Sequence, residues 1–126
     1  MFKNFVLVTG ALDFLIGLAV AVPAVLDPNP ESFTANVILG AFLWFAAAAL
    51  IWAAQDLPIR APIVFWQGLV RFAAVLALLY AVGTGLEAKG RLAMCIFDGA
   101  ICATYFVGCV RVTGVSPVQL LLGRTA

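Results

Sequence analysis

Four apolar stretches, each about the ~20 residues that a helix needs to cross a bilayer, dominate the chain. They run from about Phe5 to Leu26, Asn36 to Ala54, Pro62 to Val82 and Arg91 to Val112. Turn chemistry separates them: Asp27-Pro28-Asn29-Pro30, then Gln55-Asp56-Leu57-Pro58, then Gly83-Thr84-Gly85 with Gly90. Connectors this short force neighbouring helices antiparallel. They predict an all-α, up-down-up-down four-helix membrane bundle, a single domain over residues 1–126. Asn36 is the expected N-cap of the second helix and Pro62 the first residue of the third. A short interfacial helix is expected over 117–122, opened by Ser116-Pro117.

Composition excludes the soluble alternative. The chain is 65% hydrophobic and 10% charged, with a mean hydropathy of +1.15. Soluble domains are about 45–50% apolar and about 25% charged. A domain this small could not hide so much apolar surface from water. The net charge of +1 leaves no electrostatic footprint for nucleic acid. There is no histidine, so an imidazole-held haem, pigment or zinc ion, or an imidazole general base, is excluded. No GxGxxG, P-loop or CxxC motif occurs, so neither an enzyme nor a bound cofactor is expected.

Lys3, the apolar run behind it and Ala19-Val20-Ala21 imitate a secretory signal, but Asp13 interrupts the run. The segment is therefore expected to be a retained transmembrane helix. Lys3, Arg60, Arg111 and Arg124 collect at one set of helix ends, against Lys89 and Arg91 at the other. The positive-inside rule then places both termini in the cytoplasm. Trp52 and Trp66 fall near the same ends, where indoles anchor.

Three charges fall inside the spans: Asp13, Arg71 and Asp98. Each alone would cost several kcal/mol in hydrocarbon, so they are expected to meet in one buried cluster facing the bundle interior, with Gln67 one turn before Arg71. Gly10 and Gly17 flank Asp13, and Gly99 adjoins Asp98, small residues that let helices approach. By depth, Asp13 is the expected ionised partner of Arg71, and Asp98 the member that holds a proton. The cluster reads first as a structural tie and second as a proton or cation site, because intramembrane carboxylates so often serve transport.

Cys95, Cys102 and Cys109 are spaced by seven and share one face of the fourth helix. Two turns apart, their α-carbons lie ~10 Å from one another, too far for a disulfide. They are expected to be reduced small residues in a packing seam with Gly99, not metal or redox ligands. Phe42, Trp44 and Phe45 could cradle a lipid or quinone tail, or face lipid or a neighbouring subunit.

The layout resembles the small DoxX-like four-helix membrane proteins of bacteria. The similar parts are the first helix ending in Pro23, Asn36-x-x-x-Gly40 opening the second, Arg60 at the second connector, and Gly68-x-x-Arg71 in the third. The resemblance implies a multi-pass protein of the bacterial cytoplasmic (inner) membrane, of a group sometimes found beside membrane redox enzymes. It supplies no catalytic residues. Two functions are therefore weighed. One is a non-catalytic membrane subunit, packed in lipid against other membrane-protein subunits or copies of itself, in a respiratory or photosynthetic complex. The other is a small proton-coupled carrier using Asp13, Arg71 and Asp98.

Overall fold

A computed structural model describes residues 1–126. The chain is all-α, with helices α1 (Phe2–Leu26), α2 (Phe33–Gln55), α3 (Leu57–Gly83), α4 (Leu92–Thr113) and the short α5 (Pro117–Leu121). A 3-10 turn over Lys89–Arg91 precedes α4. The four long helices are each long and apolar enough to span a membrane, making this a multi-pass membrane protein. The chain forms two compact units, Met1–Asp56 and Leu57–Ala126.

The first unit is the α1–α2 hairpin. Pro23 lies inside α1 and removes one helical donor, and the helix ends at Asp27, whose N–H reaches the Pro23 carbonyl. The connector then turns on Asn29. Its side-chain oxygen accepts from Glu31 N–H at 2.9 Å, and its carbonyl accepts from Phe33 N–H at 2.8 Å. This turn starts α2 at Phe33, with Ser32 at the N-cap, so Asn36 lies inside the helix and does not cap it.

Small residues form the seam of this hairpin. A Cβ on Gly10 would stand 3.2 Å from Ile51 and 3.3 Å from Leu50. One on Gly17 would stand 2.8 Å from Trp44, and one on Gly40 would stand 2.6 Å from Ala21. Contacts thus step backward along α2 as they step forward along α1, and the helices run antiparallel. Hydrocarbon gives two helices little hydrophobic reason to associate, so the close backbone approach at these positions supplies dispersion contact in its place.

The second unit pairs α3 with α4 and lays α5 across them. Pro58 has no N–H to continue α2, yet at the second position of a new helix it needs none. Hence α3 starts at Leu57, and Pro62, expected as its first residue, lies within it. At the far end Gly85 (φ 78°) ends α3 in a Schellman motif: its N–H reaches the Val82 carbonyl and that of Leu86 the Ala81 carbonyl. Gly68 takes the edge of Phe106 at 2.8 Å from its Cβ position, and Phe65 packs against Phe106 as a tilted pair with ring centroids 4.8 Å apart. Gly114 (φ 70°) closes α4. A capping box between Ser116 and Gln119 then opens α5, which spans 117–121, one residue shorter than expected. Leu120 is fully buried, and the Trp66 indole N–H donates to the Leu121 carbonyl at 3.1 Å.

Candidate functional site

The polar chemistry of the second unit centres on Arg71 and Asp98. Arg71 sits midway along α3, and the antiparallel register brings α4 past it with Asp98 at the same level. Measured from the α5 end at ~1.5 Å per residue, they stand roughly 21 Å and 23 Å along their helices. Arg71 Nη1 donates to Asp98 Oδ1 across 2.6 Å, a charge-assisted hydrogen bond. The two side chains keep only 14% and 20% of their surface exposed.

Asp98 is thus a direct partner of Arg71, a place that the reading by depth gave to Asp13. That reading started α3 at Pro62, whereas an α3 that begins at Leu57 carries Arg71 further into the span. Gln67 lies one turn away, half-buried and outside the Arg71–Asp98 hydrogen bond. Asp13 belongs to the first unit, on the same face of α1 as Gly10 and Gly17, and is 3% exposed. Thr9, one turn before it, is also buried and turns its hydroxyl onto the Phe5 and Val6 carbonyls at 2.9 and 3.1 Å. Bonding back to the preceding turn is how a threonine hydroxyl is accommodated inside an apolar helical run.

A groove of about 390 Å³ opens between α3 and α4 on the connector side of the ion pair. Its walls are apolar, among them Ala74, Leu78, Ala81 and Met94, with Asp98 at the deep end and Glu87 toward the connector. Glu87 in turn lies 3.5 Å from Arg91, four residues on. Sequence reasoning missed this groove. Its signal is the run of alanines on α3 at 74, 77 and 81, which leaves one side of the helix thin.

The three cysteines are free and buried. Cys109 turns its thiol to the Ala61 carbonyl at 3.4 Å and Cys95 to the Val75 carbonyl at 3.9 Å, so both face α3. Gly99, expected in the same seam, is different: nothing lies within 4 Å of a Cβ built there, and it is not a point of close approach. The close approaches occur instead at Gly10, Gly17, Gly40 and Gly68.

The aromatic group on α2 divides. Trp44 packs on Gly17 and lies 6.3 Å from the ring of Phe14, within the hairpin, while its outer side stays exposed, as do Phe42 and Phe45. Trp66 serves two ends at once, an exposed indole that also ties down α5. In comparisons with known proteins, no family model, no curated protein and no solved structure matches the chain.

Proposed function

We propose that this protein is a non-catalytic subunit of a larger membrane complex, respiratory or photosynthetic in kind, in the bacterial cytoplasmic membrane with both termini inside. The observation that supports this reading most is how little the helices bury among themselves. In the α3 span only 17% of residues are buried, and Phe72, Leu76, Leu79 and Tyr80 stand exposed along it. Such a surface suits neighbouring helices as well as lipid. The likeness to the DoxX-like proteins agrees with the setting. Native mass measurement after mild detergent extraction tests the proposal: the chain should leave the membrane in an assembly larger than a dimer of itself. A lone monomer or homodimer would overturn it. For the orientation, cysteines introduced at Arg60 should label from the cytoplasm, and those at Glu31 and Glu87 from outside; Glu87 labelling from inside would reverse it.

The groove that ends on Asp98 favours a second reading, a small proton-coupled carrier using Asp13, Arg71 and Asp98. Its mouth at Glu87 and its floor at Asp98 offer carboxylates along one path, and intramembrane carboxylates commonly serve proton relays. Asp13→Asn and Asp98→Asn proteins that fold normally but abolish proton flux in liposomes would put the carrier in place of the subunit.

A further inference from the structure

A second groove lies at the other end of the Leu57–Ala126 unit, and its chemistry is of a different kind. It holds about 480 Å³, within the roughly 300–1,000 Å³ of pockets that take a small ligand. Phe65, Leu69, Phe106, Val107 and Val110 make its walls, and Pro117 of α5 lies at its edge. The one charged side chain on it is Arg111, in the last turn of α4 and exposed.

Basic side chains outnumber acidic ones around this end, where Asp56, just before α3, is the acidic one. Cys109 touches the Ala61 carbonyl, which brings the start of α3, with Arg60, beside the end of α4. A Cβ on Gly123 would stand 3.6 Å from the Trp66 ring, which brings Arg124 to the same end. The only acidic side chains of this unit are elsewhere: Glu87 follows α3 at the far connector, and Asp98 is bonded to Arg71 in mid-helix. An apolar slot with a cationic rim, opening where a spanning helix leaves the hydrocarbon, matches an amphiphile with an apolar tail and an anionic head.

We infer that this groove is a binding site for an anionic phospholipid, with one acyl chain along Phe65, Leu69, Phe106 and Val110 and the phosphate at Arg111. The rings of Phe65 and Phe106, tilted 39° to one another with centroids 4.8 Å apart, give the chain an aromatic floor. The Trp66–Leu121 hydrogen bond holds α5 so that Pro117 closes one edge of the slot. Basic pockets between spanning helices are known receivers of acidic headgroups, and a cation near the surface is worth about 1 kcal/mol toward anionic lipid.

The test uses the full chain reconstituted in vesicles of either dioleoyl phosphatidylglycerol or dioleoyl phosphatidylcholine, then extracted gently and weighed by native mass spectrometry. The expected result is one retained phosphatidylglycerol per chain and markedly less phosphatidylcholine. Arg111→Gln should weaken phosphatidylglycerol retention about fivefold, the equivalent of about 1 kcal/mol, and remove the preference between headgroups. Val107→Trp should fill the slot and abolish retention of both lipids. Val107 is half exposed, so the larger ring should not disturb the fold, and circular dichroism checks that. Arg91→Gln, at the opposite end, should retain lipid like the parent. Equal retention of the two lipids by the parent, or unchanged phosphatidylglycerol in either Arg111→Gln or Val107→Trp, would overturn the assignment.

Discussion

The indole of Trp44 occupies the space that a side chain at Gly17 would need, with its Cδ1 atom 2.8 Å from the Cβ position. The Gly40 carbonyl oxygen stands 3.1 Å from the same point, so backbone as well as ring blocks it. The α1–α2 crossing is therefore fixed by one absent methyl group. Gly17→Ala should destabilise the protein by about 1–3 kcal/mol through overpacking. Gly99→Ala should be neutral or stabilising by about 0.5–1 kcal/mol, because helical glycine there is next to open space. Thermal denaturation of the two variants in the same detergent measures the contrast. Equal melting temperatures would mean that the crossing is looser than the 2.8 Å contact requires.

The Arg71–Asp98 pair should behave as one unit. Arg71→Leu takes the guanidinium from Asp98, and Asp98→Asn takes this carboxylate from Arg71, each in low dielectric. Breaking one side of a buried pair costs about 3–5 kcal/mol, and partial exposure puts this pair at the lower end, about 3 kcal/mol. The double variant Arg71→Leu with Asp98→Leu should recover much of that loss. A double-mutant cycle on unfolding free energy reads the coupling directly. Additive losses would show that the 2.6 Å contact carries no net interaction.

Which parts of this were legible beforehand follows from the range of the physical signal. Four spans could be read because ~20 apolar residues in a row have one main use. Helix starts were harder, since Asn36 and Pro62 are both good local signals and each lost to an earlier one. The turn at Asn29 launches α2 at Phe33, and Pro58 launches α3 at Leu57. The charged residues were visible by type alone. That Asp98 meets Arg71 depends on hairpin register, which a shift of the helix start by one turn changes. The seat of Trp44 on Gly17 and the open space at Gly99 are register facts too, set between helices and absent from either stretch alone.

The C-terminal helix should come loose when its two fastenings are cut. Ser116→Ala removes a capping box worth about 0.5–2 kcal/mol, and Trp66→Phe removes the indole donor to Leu121. Both changes should raise amide exchange over Pro117–Leu121 while leaving the middle of α4 protected. Protection of α5 unchanged in the double variant would show that the burial of Leu120 alone holds it.

The thiols should be silent in the folded protein. Cys95, Cys102 and Cys109 are buried, and two of them face α3 carbonyls, so maleimide should modify them only after denaturation. Replacing all three by alanine removes one buried heavy atom per site. The loss should be about 0.5–1.5 kcal/mol each, as for other single-group core truncations. Rapid labelling of the native protein, or a metal that leaves with the cysteines, would contradict this.

Pro23 has a consequence for the membrane itself. It cannot give a helical N–H to the Ala19 carbonyl, and an unsatisfied carbonyl in hydrocarbon costs several kcal/mol. A cavity of about 360 Å³ lies at this end of α1, lined by Ala19, Pro23 and Ala24 of the helix and by polar Asp27, Asn29, Ser32 and Asn36. The last turns of α1 thus share a cavity with the polar connector, so the purely apolar length that α1 offers to lipid is shorter than its 25 residues, and the proline stands where that length ends.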